Sequence, residues 1–109
     1  MKLAICIVQD RDRGKITDEF VKAGFKFTMM RSTGGFLQRG NCSFFVGLED
    51  EEIPAIKDIV SRHCQAREQV VNVAPIETSP QESFIPNPVK VPVGGAVMFI
   101  LDVEQFERF

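Results

Sequence analysis

The sequence predicts an α+β fold, an antiparallel sheet with two helices on one of its faces. Two observations carry that prediction. Short β-like runs and helical stretches follow one another as strand, helix, strand, strand, helix, strand, with one more strand appended. In the second helical stretch Ile53, Ile56, Ile59 or Val60, and Cys64 recur at helical spacing, which makes it the clearest amphipathic helix in the chain.

Taken in order, Lys2–Val8 (KLAICIV) reads as a strand that is apolar on both faces, with Leu3, Ile5 and Ile7 against Ala4, Cys6 and Val8. Gln9 to Gly14 reads as a charged turn. Thr17 then caps a short helix whose first turn holds Asp18 and Glu19, whose apolar side is Phe20, Val21 and Ile16, and which stops at Gly24. Phe25–Arg31 (FKFTMMR) and Cys42–Leu48 (CSFFVGL) are the next two strands. Asp50 caps the second helix, with Glu51, Glu52 and Pro54 in its first turn, where proline costs no helical hydrogen bond. Gln69–Val73 (QVVNV) is a fourth strand. A long loop without structure of its own, mobile in expectation, runs from Ala74 to about Lys90 with prolines at 75, 80, 86 and 88. Gly95–Leu101 (GAVMFIL) is the last strand, and Glu104–Phe109 a short tail. The order is βαββαβ, the split βαβ or ferredoxin-like arrangement.

That arrangement leaves one sheet face without helices, yet the first, third and last strands are apolar on both sides. In the last strand Met98 and Ile100 oppose Val97, Phe99 and Leu101. So large an open apolar face is unusual for a soluble monomer, and it predicts a homo-oligomer in which another copy covers it.

Composition narrows the function classes. With 109 residues, 44% of them apolar and 26% charged, the chain suits a single globular domain over residues 1–109. A net charge of −2 offers no electrostatic footprint for nucleic acid. No apolar run approaches the ~18–20 residues of a membrane span, and MKLAICIVQD lacks the apolar length and cleavage site of a signal peptide. A cytoplasmic protein without a membrane partner is expected. Cys6, Cys42 and Cys64 are odd in number and show no CxxC spacing, so they read as buried thiols rather than a disulfide framework or zinc site. His63 near the end of the second helix reads as a residue favoured by the helix dipole. The run Glu49–Glu52 reads as a solvated helix start. With no nucleophile–base pair and no catalytic motif, an enzyme is not expected.

Ligand binding has more to build on. Between the second and third strands lies STGGFLQRGN, Ser32 to Asn41. Gly34 and Gly35 either close a hairpin or turn their N–H groups toward an anion. Phe36 either folds back onto the core or stacks on a base. Asn41 is either a turn residue or an amide for an adenine edge, and Lys26, Arg31 and Arg39 are either solvated cations or partners of a phosphate. Spacing alone leaves these alternatives open, because neither GxGxxG nor GxxxxGK[ST] is present.

The runs IVQDRD, FTMMRSTGGFLQRGN followed by FFVGLEDEE, CQAREQVV, and FIPNPVKVPVGGAVMFILDVEQFERF resemble the cyclic di-AMP receptor family, small PII-like proteins of bacteria, over essentially the whole chain. The resemblance implies a ferredoxin-like subunit in a homotrimer that binds cyclic di-AMP in clefts between neighbours. It implies ligand contacts at Thr28, Gly35, Phe36, Leu37, Asn41 and Gly47, with Phe99 as a further contact. Two positions depart from the family pattern. Lys26 stands where arginine is expected and keeps the charge without the planar fork. Arg108 stands where glutamine is expected and adds charge near a phosphate-bearing ligand. The alternatives are a PII-like sensor of another adenine nucleotide, ATP or AMP, and a ligand-free trimeric module whose long loop does the binding. Either way the signal would leave through a downstream protein that the sequence does not name.

Overall fold

A computed structural model of the chain describes residues 1–32, 40–73 and 87–109. The first strand, β1, spans Lys2–Gln9 and leads directly into helix α1, Asp10–Lys22. Strands β2 (Phe27–Ser32) and β3 (Asn41–Leu48) follow, then a single 3-10 turn (Asp50–Glu52) and helix α2 (Ile53–His63). Strands β4 (Arg67–Val73), β5 (Asn87–Val93) and β6 (Ala96–Asp102) complete the chain. Among the described residues this is a small α+β fold of two helices and antiparallel sheet, compatible with the ferredoxin-like arrangement. No described helix is long and apolar enough to cross a membrane.

The main sheet has the order β2-β3-β1-β6, with every neighbour antiparallel. Its edge position beside β1 goes to β6, not to the fourth strand as the order of elements suggests. β4 pairs with β5 in a separate two-stranded ribbon. Residues 87–90, expected in the long loop, belong to β5. Two prolines, Pro88 and Pro92, disguise that strand, because proline argues against a central strand but is tolerated at an edge. The rest of the expected loop, 74–86, lies outside the described residues.

Helix α1 begins seven residues before the expected cap at Thr17. The charged run read as a turn is its first turns: Asp10 and Asp12 suit the positive helix end, and Ile16 and Phe20 form the buried stripe one turn apart. Gly14 is tolerated inside it. The helix stops as expected at Gly24, whose φ of +80° is one that glycine adopts without strain. The capping expected at Asp50 falls on Glu49, at the 3-10 turn that leads into α2. Glu49 and Glu52 form a reciprocal capping box, in which the Glu49 N–H donates to Glu52 Oε1 at 3.0 Å. Ile56, Ile59 and Val60 are buried as the spacing predicts, and His63 ends the helix.

The core lies between the helices and one sheet face. Ala4, Cys6, Val8, Phe44 and Val46 are fully buried there under Ile16, Phe20 and Ile56. Phe20 meets Phe25, Phe27 and Phe44 edge-on, with ring centroids 5.8, 5.7 and 5.4 Å away, the arrangement aromatic quadrupoles favour. Small residues on β1 make room for these rings.

Burial also sets the state of the thiols. All three cysteines are free and buried. Burial pushes Cys6 and Cys64 up from the ordinary 9.0 to about 12, and raises Cys42 as well.

Two predictions follow from this packing. Phe20→Ala removes the ring that joins α1 to the sheet and should cost about 3–5 kcal/mol by urea unfolding; a loss under about 1 kcal/mol would contradict this core. Between pH 9 and about 12 the unfolded chain releases its thiol protons while native Cys6 and Cys64 keep theirs. The native state then binds more protons, so stability falls as pH rises through that window. Unfolding midpoints measured from pH 8 to 11 should therefore decline, and decline less in a Cys6→Ala/Cys64→Ala variant.

Candidate functional site

The pleat sends alternate residues to opposite sides, so the face away from the helices can be read from the register. β1 contributes Leu3, Ile5 and Ile7, paired with Gly47, Phe45 and Ser43 on β3 and with Leu101, Phe99 and Val97 on β6. On β2, Thr28 pairs with Phe45 and Met30 with Ser43. Among the described residues Phe99, Leu101 and Met30 are large apolar side chains that stay 39%, 46% and 50% exposed. Four of the residues expected to touch a ligand, Thr28, Asn41, Gly47 and Phe99, share this face.

Three expected residues meet in one cleft. Lys26, Thr28 and Gly47 line a space of about 340 Å³ together with Met1, Phe27, Phe45 and Phe106. Lys26 stands just before β2, Thr28 at its start, and Gly47 near the end of β3 opposite. Gly47 keeps the cleft open, since a Cβ there would lie 3.1 Å from the methyl of Met1. Met1, Phe27, Phe45 and Phe106 were not anticipated. A sequence signal existed for Phe106, the one large apolar residue in the run Glu104–Arg108. Arg108 lies two residues beyond it and is exposed.

Chemically this cleft suits a flat heterocycle bearing a phosphate. Aromatic rings offer faces for stacking, Thr28 a hydroxyl, Lys26 a cation, and Gly47 backbone without side-chain obstruction. It holds no arrangement of nucleophile and base. Among the described residues no three His, Cys, Asp or Glu side chains converge on a metal site.

The remaining expected residues lie elsewhere. Asn41 begins β3, six residues from Gly47 and so about 20 Å along the strand. It is buried, 2% exposed, and pairs with Ser32 and Gln9 across the sheet. Phe99 is on β6, two strands from Phe45. Gly35, Phe36 and Leu37 lie outside the described residues. A larger groove of about 720 Å³ between α2 and β6, lined by Val60, Cys64, Met98 and Ile100 among others, contains none of the expected residues.

The Asn41 end of the sheet is tied to the β1–α1 junction. The Asp10 N–H donates to the Gly40 carbonyl at 3.0 Å, and a Cβ at Gly40 would crowd Asp10 Oδ2 at 2.6 Å. The same junction holds the root of the ribbon. The Gly94 N–H donates to Gln9 Oε1 at 2.6 Å, and Arg67 Nη2 donates to the buried Asp12 Oδ1 at 3.0 Å. Gln9, Asp10, Arg11, Gly40, Pro92 and Val93 enclose a cleft of about 270 Å³ there. Sequence reasoning missed this junction because it read Gln9–Gly14 as a turn.

With this geometry in view, comparison with known proteins is informative. A crystal structure of a functionally unknown protein from Pediococcus pentosaceus ATCC 25745 superposes with a TM-score of 0.75 at 39% sequence identity, covering 99% of this chain and 96% of that one. The family model described as cyclic-di-AMP receptor matches residues 1–109. The chain belongs to the cyclic-di-AMP receptor family.

Proposed function

We propose that the protein is a cytoplasmic signalling receptor, a PII-like homotrimer that binds cyclic di-AMP between neighbouring subunits and transmits binding through its loops. The observation that carries this reading is the helix-free sheet face. Among the described residues it keeps large apolar side chains exposed, and it carries Thr28, Gly47 and Phe99, with Asn41 buried at one end. A neighbour that covers the face also closes the cleft.

The division of contacts supports an inter-subunit site. The Lys26–Thr28–Gly47 cleft and Asn41 stand at opposite ends of β3. One ligand lodged in the cleft is completed by the Asn41 end of the next chain. In this proposal one adenine stacks near Phe36 and is read by Asn41, while Thr28 and backbone N–H groups, with those of Gly35 and Leu37 nearby, hold phosphate oxygens. Lys26 and Arg108 offset the two negative charges. Lys26 does so as a point charge, since it has no planar fork.

Output follows from the junction. Asp10 grips Gly40, while Gln9 and Asp12 grip the root of the ribbon. Ligand that contacts the segment before Asn41 then acts through Asp10 on the conformations open to the arm beyond Arg67, a change read by a downstream protein.

Two measurements test this. Calorimetric titration with cyclic di-AMP should give saturable heat, with ATP and AMP giving less, and Phe36→Ala should weaken binding by about 1–3 kcal/mol. No heat at tens of micromolar, or an unchanged affinity after the substitution, would sink the ligand assignment. Sedimentation equilibrium should return three times the 12.3 kDa chain mass. Ile5→Lys, which places a charge at the centre of the helix-free face, should shift the protein to monomer. A monomeric parent protein would refute the trimer.

A further inference from the structure

The β4–β5 ribbon has two outer edges, and the chain treats them differently. In an antiparallel ladder every second pair exchanges both of its N–H···O=C bonds, while the residues between turn their N–H and C=O groups outward. Proline has no N–H, so neither Pro88 nor Pro92 fits an exchanging pair. They are four residues apart and therefore in phase. The register then makes Arg67–Val93, Gln69–Val91, Val71–Val89 and Val73–Asn87 the exchanging pairs.

The outward groups of β5 belong to Pro88, Lys90 and Pro92, so two of its three outward donors are missing. Those of β4 belong to Glu68, Val70 and Asn72, each with its N–H in place. One edge is closed to strand addition and the other is open. Within the described residues the ribbon is two-stranded, so no third strand occupies the β4 side. Glu68 and Val70 are exposed, Val70 at 59%.

We propose that the outer edge of β4 is a docking site for an extended segment of a partner protein, which adds as a third strand beside Glu68, Val70 and Asn72. The chemistry of the segment follows from what it meets: an apolar residue beside Val70 and a basic residue beside Glu68. A second copy of this chain is the competing occupant. Antiparallel self-pairing about Val70 would place Glu68 opposite position 72 and forgo the opposite-charge pair that a basic segment makes. The inference stands on the ladder alone and does not rest on the ligand assignment.

The test uses the full chain, isotope-labelled, and a synthetic probe peptide, Lys-Val-Thr-Val-Thr-Val-Lys. Adding the peptide should slow amide exchange at Glu68, Val70 and Asn72 and leave Lys90 unchanged. The same peptide N-methylated at alternate residues along its bonding edge should bind at least about tenfold more weakly. Val70→Pro should weaken the unmodified peptide similarly while Gln69 and Val71 stay protected, because the N–H it removes points away from β5. Should that substitution unravel the ribbon, the N-methylated peptide still decides, since it leaves the protein unaltered. Absence of binding at millimolar peptide, protection at Lys90, or equal affinity for the N-methylated peptide overturns the proposal. So does slow exchange at Glu68, Val70 and Asn72 in the protein alone with a concentration-dependent increase in size, which assigns the edge to a second copy.

Discussion

Everything in this fold depends on a central strand that is apolar on both sides when helices can cover only one. β1 sits between β3 and β6 and resolves the conflict by residue size. Ala4, Cys6 and Val8 face the helices and are fully buried, and their small volume admits the rings of Phe20 and Phe44. The bulkier Leu3, Ile5 and Ile7 go to the other side, where they stay partly open. The raised thiols have the same cause. Cysteine is small and apolar enough to line the crowded side, and burial there holds its proton. The state of Cys6 and the openness of the far face are thus two results of one packing decision.

The end of β1 is where packing becomes connection. Because α1 starts at Asp10 with no intervening turn, the first-turn residues are held rigidly at the sheet's edge. Their polar groups reach two segments far apart in sequence: Asp10 to Gly40, and Gln9 and Asp12 to the root of the ribbon. Arg67 also donates to the Gln65 carbonyl, so its guanidinium bridges the end of α2 and the start of α1. At Gly94, with φ of +79°, a Cβ would collide with that same carbonyl at 2.3 Å. Glycine is therefore demanded there both by conformation and by space. The ribbon leaves the body through a narrow, specified passage.

How much of this was legible in the sequence depended on whether a residue acted through its neighbours in sequence or across the sheet. The stripe of α2, the stop at Gly24 and the two-faced character of β1 and β6 are local patterns and could be read directly. The start of α1 could not. Asp10, Arg11 and Asp12 are equally suited to a turn, and the choice was made by Ile16 and Phe20 finding a core. The fate of the fourth strand was decided by pairing. β4 needed β5, and the prolines that hide β5 from a propensity reading are harmless once their outward phase is known. Of the site, the face shared by Thr28, Asn41, Gly47 and Phe99 follows from parity once the register is given. Phe106 stood out as the one large apolar residue of its run, but only tertiary contact shows that it enters the cleft.

The separation of Asn41 from the cleft carries a last consequence. A site built wholly on one chain would gather its contacts at one end of a strand, where a single loop could hold them. Here the phosphate-suited groups, Lys26, Thr28 and Gly47, sit at one end of β3, and Asn41, the amide proposed to read a base, is buried at the other. The strand between them offers Ser43 and Phe45 on the same face, flanked by the apolar side chains of β1. Those flanking residues have no role in recognising an anion, and their burial is worth about 25 cal/mol per Å² of apolar surface. In the receptor proposed above they bring two chains together, and that association sets the cleft of one against the Asn41 end of another. In the proposed trimer, oligomer and ligand site are one requirement, met by the face that the helices leave bare.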